Sequence, residues 1–177
     1  MLLRGVNVGG KNILPMKALS AELESAGLSK VTTYIQSGNV VFQDEKRTKS
    51  ALSELIRRTI KNEFGFEVPV IIISDKELSA ALKGNPFAKL MSEGDSKRLH
   101  LFFMNENPIN LRKDRIELLQ IEGEEWKLKG LVFYLFAPDG FGKSKLATQI
   151  EKILGVPATA RNWVTVNKLL GIASQEK

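Results

Sequence analysis

Apolar positions in the first half of the chain alternate between the period of strands and the period of helices. Short apolar runs at residues 2–8, 31–35, 39–42 and 68–74 are typical of strands. Apolar spacings of three and four residues predict two amphipathic helices between these runs, each ended by a glycine. The resulting order is β-α-β-β-α-β, and both helical connections are long enough for crossovers. This order predicts a ferredoxin-like plait.

The second half repeats the same order less regularly. Apolar runs predict strands at residues 99–104, 124–128 and 131–136, and an extended piece at 156–160 as a last strand. Helical spacing predicts helices near residues 75–83, 111–119, 144–154 and 161–173. This half is either a full plait or a decayed copy of one. We therefore expect an α+β fold of two tandem ferredoxin-like subdomains packed into one compact body, residues 1–84 and residues 85–177, the second with an extra C-terminal helix.

Composition excludes several classes of chemistry. The 177-residue chain has 43% hydrophobic and 26% charged residues, which is ordinary for a globular protein, and no apolar run reaches the about 18 residues of a membrane span. It has no cysteine, which excludes disulfides, thiolate catalysis and cysteine-bound zinc. Its one histidine, His100, lies in a predicted strand and is more typical of a structural residue than of a ligand or base. We expect a cytoplasmic protein with no metal and no cofactor.

Positive charge is spread over the whole chain. The net charge is +6, and a division at Ala88 gives 12 Lys and Arg against 9 Asp and Glu before it, then 14 against 11, so each part carries +3. Locally the charge is less even, because no acid precedes Glu22 and Glu151 is the only one between Asp139 and Glu176. These acid-poor segments favour an anionic partner, nucleic acid or an anionic small molecule.

The first acid-poor segment, residues 4–12, joins the first predicted strand to the first helix. Its glycines free backbone N–H groups near a helix N-terminus, which is a setting for phosphate binding. Its spacing is not the dinucleotide fingerprint Gly-x-Gly-x-x-Gly. The sequence favours the simpler explanation that Gly9 and Gly10 only form a tight exit turn. Strand alternation predicts that Arg4 and Asn7 lie on opposite faces.

Residues 137–144 fit a relaxed Walker A pattern, with alanine in place of the first glycine. A true phosphate-binding loop follows a strand of a parallel sheet, whereas this one follows a predicted hairpin. The sequence therefore favours only a weaker role, in which Gly142, Lys143 and Ser144 lie beside an anion. Stacking on RNA bases would require aromatic residues on the central strands, and Phe42 is the one candidate; it is more typical of a core residue.

The second acid-poor segment contains Arg161, Asn162 and Trp163 at a predicted helix start. A tryptophan there usually anchors the helix with its indole N–H bonded to a neighbour. Together with the arginine and asparagine, however, it forms the strongest ligand-facing candidate after residues 4–12. Acidic pairs elsewhere, such as Asp44-Glu45, are typical of solvated turns.

Four motifs resemble a bacterial family catalogued as domain of unknown function 1697. They lie at residues 4–11, with Val6 in place of isoleucine, at 33–42 without change, at 140–146, and at 159–166, with Ala160 in place of threonine. The resemblance runs almost from end to end, and it implies no activity. It does imply that arginine is accepted at the position of Lys143, which argues further against a Walker A lysine. Relatives usually have a few residues ahead of the first strand, so we expect a shortened start here.

These observations give one candidate set of ligand-binding residues, with no catalytic residue assigned: Arg4, Asn7, Gly9, Gly10, Lys11, Gln36, Ser37, Asn39, Gly142, Lys143, Ser144, Arg161, Asn162 and Trp163. We expect several of them to converge on one cleft between the subdomains. The favoured function is binding of a phosphate-bearing ligand, nucleic acid or nucleotide. One alternative is an enzyme acting on a small anionic metabolite, with Tyr34 or Ser37 for proton transfer. The other is a protein-interaction module without a ligand. No membrane partner is expected.

Overall fold

The computed structural model describes residues 1–91, 95–109 and 111–175. The chain divides into two units, Met1–Leu78 together with Lys168–Lys177, and Ser79–Asn167. Each unit contains one four-stranded antiparallel sheet with helices, so the α+β class is confirmed. The expected link near residue 84 stays a prediction. No described helix is both long and apolar enough to cross a membrane.

The first unit follows the predicted β-α-β-β-α-β order. Its elements are β1 Leu2–Leu3, α1 Met16–Ser25, β2 Ser29–Tyr34, β3 Asn39–Gln43, α2 Lys49–Phe64 and β4 Val70–Ile71. The strand order across the sheet is β2-β3-β1-β4, so β1 is central and its Leu2 pairs with both Asn39 and Ile71. One core cluster unites residues of the strands with the inner faces of both helices, including Leu3, Leu19, Leu23, Val40, Ile56, Ile60 and Val70.

Two strands of the first unit are shorter than predicted. The strand expected at residues 2–8 ends at Leu3, because Gly5 (φ 69°) and Asn7 (φ 55°) adopt left-handed conformations that cannot continue a strand. The alternation expected for Arg4 and Asn7 is therefore wrong. The strand expected at residues 68–74 contains only Val70–Ile71, because residues beyond Ile71 pass the end of β1 and find no further strand partner there.

The second unit has the same strand order. Its own elements are β5 Leu99–Met104, α4 Lys113–Leu119, β6 Glu125–Lys129, β7 Val132–Phe136, α5 Lys145–Leu154 and β8 Ala158–Asn162, arranged as β6-β7-β5-β8. Two further helices, α3 Asp75–Lys83 and α6 Trp163–Gln175, each have residues in both units. The predicted strand at residues 99–104 is confirmed, and the predicted last strand is present as β8.

Both faces of the second sheet are buried. Phe102, Phe133 and Ala160 pack with α4 and α5 in one core cluster. On the opposite face, Leu101 and Tyr134 are also buried, and the Tyr134 hydroxyl donates a 2.8 Å hydrogen bond to the carbonyl of Ala81 in α3. Burial raises the pKa of the Tyr134 hydroxyl, which therefore stays protonated and able to donate.

Candidate functional site

Residues 4–14, here called the N-terminal loop, contain a small hairpin of their own. Val8 and Lys11 face each other in an antiparallel bridge, and the Lys11 N–H donates to the Val8 carbonyl at 3.1 Å. Gly9 and Gly10 form the two-residue turn, with φ values of 58° and 72° that suit a type I′ hairpin. All four residues are exposed. The two glycines thus form a tight turn, and the turn leaves the Lys11 side chain in solvent.

Asn7 fixes the position of this loop. Its Nδ2 donates to the carbonyl of Leu14 at 2.9 Å and to the carbonyl of Gln36 at 2.8 Å, while its Oδ1 accepts from the Leu14 N–H at 2.7 Å. Asparagine also tolerates the left-handed φ of 55° found here. Both Nδ2 hydrogens therefore serve the fold and are not offered to a ligand. The amide joins the N-terminal loop to a segment 29 residues away.

That segment is the β2–β3 turn, residues 35–38. The Gly38 carbonyl accepts from the Leu3 N–H at 2.8 Å, and Gly38 lies so close to Leu3 that a Cβ there would stand 2.6 Å from the Leu3 Cβ. Asn39 is fully buried, and its Nδ2 donates to the Tyr34 carbonyl at 3.1 Å and to the Ser37 hydroxyl at 2.8 Å. Two more of the predicted ligand residues, Ser37 and Asn39, thus hold this turn in shape.

Six exposed side chains of the N-terminal loop and the β2–β3 turn form what we call the loop surface: Arg4, Val8, Lys11, Ile13, Ile35 and Gln36. It carries two cations, and no acid occurs in the sequence before Glu22. Lys11 makes no ion pair with any residue in the described ranges. The structure therefore places Arg4, Lys11 and Gln36 of the predicted set, all exposed, on two segments that the Asn7 amide joins, with the Gly9-Gly10 turn between the two cations along the chain.

In the second unit, the segment resembling Walker A is a turn that leads into a helix. Residues Phe141–Lys143 form one turn of 3-10 helix, and Ser144 is the N-cap of α5. The Ser144 hydroxyl is buried and accepts from the Ala147 N–H at 3.0 Å, so this predicted ligand residue serves as a helix cap. Gly142 and the Lys143 side chain are exposed. The preceding strand, β7, belongs to an antiparallel sheet, which confirms that the context is not that of a phosphate-binding loop.

The predicted cluster at Arg161, Asn162 and Trp163 lies at the end of β8. The Arg161 guanidinium is buried and donates to the Thr159 hydroxyl at 3.1 Å and to the Ala160 carbonyl at 2.7 Å. Burial disfavours its charge and lowers the pKa of Arg161 to about 10. The Asn162 Oδ1 accepts from the N–H of Thr165 at 2.8 Å and so caps α6, which Trp163 begins. Asn162 thus has a structural role.

The structure does not bring Arg161 together with the 141–143 turn. Phe141 packs with Phe102 and Ala160 on the face of the sheet that carries α4 and α5. Arg161 follows Ala160 in the strand, and successive side chains of a strand point to opposite faces. Within the second unit, these two predicted ligand segments therefore belong to different surfaces. The expectation that residues of both subdomains converge on one cleft stays a prediction.

His100 is packed inside the second unit. Its ring lies 4.2 Å from the ring of Phe141, centroid to centroid. Burial lowers the pKa of His100 to about 4, so its imidazole is neutral near pH 7. A partly buried, neutral ring that packs against Phe141 supports the structural role that the sequence favours.

A cavity of about 410 Å³ in the first unit was missed by the sequence analysis. It is largely apolar, with Phe42, Leu52 and Leu169 among its lining residues. Arg47 pairs with Asp44 at its rim, and the rim carries three carboxylates against two cations, which does not suit a phosphate. The cavity lies beyond the end of β1, between β3 and β4. Sequence periodicity could not reveal this cavity, because the cavity depends on where the three strands β1, β3 and β4 end.

Comparison with known proteins identifies the family. A family model described as a protein of unknown function, DUF1697, matches residues 1–134. The chain belongs to this family. The predicted resemblance to this family is thereby confirmed, and the matched residues include the first two of the four motifs and the whole loop surface. The fold is similar to that of a conserved bacterial protein, SP0830 from Streptococcus pneumoniae, with a TM-score of 0.68 and 28% sequence identity over 97% of this chain and 96% of that chain. No curated protein matches the chain.

Proposed function

We propose that this protein binds a phosphate-bearing ligand, nucleic acid or nucleotide, on the loop surface of its first unit. The observation that carries the proposal is the presentation of Arg4 and Lys11 on two loops that Asn7 ties together through three hydrogen bonds. Cationic side chains on a fixed backbone are suited to phosphate oxygens, because the charge-assisted bonds are strong. The loops are already ordered, so binding costs little conformational entropy.

The shape of the loop surface favours a polymer over a mononucleotide. Small-molecule sites are concave and bury most of their ligand. Arg4, Lys11 and Gln36 are instead exposed side chains around a glycine turn, and the apolar cavity of the same unit has a rim richer in carboxylates than in cations. A polynucleotide presents phosphates at regular spacing and can contact both cations without being enclosed.

Of the two alternatives, the enzyme has less support than the binding protein, and the support for the interaction module concerns other residues. An enzyme would need an activated proton-transfer group, whereas the Ser37 hydroxyl accepts a structural hydrogen bond from the Asn39 side chain. The interaction-module alternative is favoured by a specific observation: several polar motif side chains serve the fold as clamps or caps, namely Asn7, Asn39, Ser144 and Asn162. That observation concerns those residues and does not include Lys11, whose exposed side chain makes no ion pair within the described ranges.

Fluorescence anisotropy with a labelled 12-nucleotide mixed-sequence RNA or DNA tests the proposal. We expect binding of the single strand to weaken between 50 and 200 mM salt, with a slope of about 0.7 per phosphate contact. Lys11→Ala and Arg4→Ala should each weaken binding and reduce this slope by about one. Arg58→Ala, an exposed cation of α2 outside the loop surface, is the matched control and should bind like the wild type. ATP serves as the nucleotide probe in a competition arm. Absence of binding by all of these probes would contradict the proposal.

We also propose that each unit is a ferredoxin-like plait. The strand orders β2-β3-β1-β4 and β6-β7-β5-β8 are equivalent, with one helix after the first strand and one after the third in each unit. This arrangement supports the proposed topology. With it we propose a link near residue 84. Limited proteolysis followed by mass spectrometry tests this boundary, because exposed links are cleaved before packed elements.

A further inference from the structure

Three aliphatic side chains of the loop surface are strongly exposed. Val8 is 66% exposed, Ile13 68% and Ile35 53%. They are all of the exposed large apolar side chains that the described part of the first unit contains. Single exposed aliphatic residues are ordinary on protein surfaces, but a contiguous group is typical of an interaction site.

The hydrogen bonds of Asn7 join the backbone segments that carry these three side chains. Val8 follows Asn7 directly, Ile13 precedes Leu14, and Ile35 precedes Gln36. Leu14 and Gln36 are the two residues whose backbone groups bond to the Asn7 amide. Each aliphatic side chain is therefore one residue away from the same junction. We call Val8, Ile13 and Ile35 the aliphatic trio.

The backbone conformation of Ile35 is unfavourable for its own side chain. Its φ is 50°, in the left-handed region that β-branched residues rarely adopt. Glycine or asparagine would fit this conformation with less strain. More than half of the side chain is exposed, so burial does not compensate for the strain. Neither packing nor backbone geometry accounts for an isoleucine here, and strained positions of this kind cluster at functional sites.

We propose that the aliphatic trio packs against unpaired bases, so that the ligand of the loop surface is single-stranded nucleic acid. This inference rests on the proposed function and specifies its substrate class. The trio and the two cations Arg4 and Lys11 belong to the same two loops, and Val8 pairs with Lys11 across the small hairpin. A single strand offers both matching chemistries, apolar base faces and phosphate groups. In a duplex the base faces are stacked on one another, and the trio would meet only phosphates, sugars and base edges.

Anisotropy with one labelled strand, alone and annealed to its complement, tests this inference at constant salt. We expect the single strand to bind about tenfold more tightly than the duplex. Ile35→Asn should weaken single-strand binding about fivefold and leave duplex binding unchanged, since asparagine keeps the left-handed backbone and removes the apolar contact. Ile109→Asn replaces an aliphatic residue of the second unit that is 88% exposed, and it should bind both ligands like the wild type.

The outcomes separate this inference from the function on which it rests. Equal binding of duplex and single strand, or single-strand binding unaffected by Ile35→Asn, overturns the inference, while sensitivity to Lys11→Ala keeps the proposed function. Failure of every polynucleotide to bind overturns both. Binding of anionic phospholipid vesicles by the wild type, with loss in Ile35→Asn and no binding of oligonucleotides, would assign the trio to a lipid surface and also contradict the inference. Thermal unfolding of each variant shows whether a loss of binding reflects a loss of fold.

Discussion

The two units carry the same strand order but differ at their central hairpins. In the first unit, β2 and β3 are joined by the four-residue turn 35–38, whose Gly38 has no room for a side chain. In the second unit, β6 and β7 are joined by two residues, and the turn residue Gly130 has nothing within 4 Å of a would-be Cβ. Both turns accept a hydrogen bond from the central strand of their sheet, Gly38 from Leu3 and Leu131 from Met104, but only the first packs a glycine tightly against that strand.

This difference identifies the part of the first unit that goes beyond the topology shared by both units. The turn 35–38 supports the N-terminal loop through Asn7 and Gly38, and the loop in turn presents Arg4 and Lys11. The shared topology therefore does not determine the candidate site, which depends on the conformation of these two loops of the first unit.

Replacing the glycine of each turn with alanine should give the largest difference between the two turns in the free energy of unfolding. Gly38→Ala places a Cβ 2.6 Å from Leu3 and 2.7 Å from Val6 at a φ of 74°, so we expect it to lower the free energy of unfolding by about 3 kcal/mol. Gly130→Ala meets only the backbone penalty of its φ of 52° and should cost about 1 kcal/mol. Urea denaturation followed by circular dichroism measures both. Equal costs would contradict the difference drawn between the turns.

Asn7 gives the next largest effect. Asn7→Ala removes three hydrogen bonds and leaves the Gln36 and Leu14 carbonyls without this donor, and we expect a loss of about 2 kcal/mol. Asn107→Ala changes an exposed asparagine in the corresponding connection of the second unit, after β5, and should stay within about 0.5 kcal/mol of the wild type. The same denaturation experiment compares them. Similar values for the two variants would mean that Asn7 does not organise the loop.

Acidification from pH 7.5 to pH 5 should destabilise the protein mainly through His100, the one histidine of the sequence. The fold lowers the pKa of His100 to about 4 from an ordinary 6.5, so the unfolded chain binds a proton first as the pH falls. Stability is therefore full above pH 6.5 and decreases as the pH falls towards 4, with a loss of about 2 kcal/mol at pH 5. Denaturation at both pH values checks this. His100→Phe should remove most of the difference, and an unchanged difference would contradict the assignment.

The smallest predicted stability effect has the opposite sign. Ile35→Asn should raise the free energy of unfolding by about 1 kcal/mol, because asparagine tolerates the left-handed φ of 50° better than a β-branched residue does. Ile109→Asn in the second unit should leave stability nearly unchanged. Thermal melts of both variants and the wild type measure the effect. A lower melting temperature for Ile35→Asn would show that the isoleucine serves the fold, and the argument for a binding role would fail.

Sequence patterns predicted the sheets better than the loops. The strand Leu99–Met104 was predicted at its observed bounds, because a continuous apolar run buried on both faces gives an unambiguous signal. The first strand was predicted five residues too long, since Val6 and Val8 continue the apolar alternation while the left-handed Gly5 and Asn7 end it.

The roles of single polar residues were the least predictable part of the site. Asn7 was selected for its polarity, but its bond to Gln36 joins positions 29 residues apart, and no local pattern contains that information. Ser144 and Asn162 directly precede helices, and serine and asparagine commonly cap helices at that position, so the local sequence already indicates their role. Arg4 and Lys11 are exposed, in agreement with the absence of acidic residues around them in the sequence. This part of the site could therefore be predicted from the sequence.

The most direct test of the central claim is the salt dependence of single-strand binding by wild type and Lys11→Ala. The account predicts that the wild type binds a 12-nucleotide strand with an affinity that falls steeply with salt, and that Lys11→Ala binds more weakly with a slope reduced by about one. It also predicts that Arg58→Ala reproduces the wild-type line. Identical lines for Lys11→Ala and the wild type, or no binding by the wild type at low salt, would contradict the account.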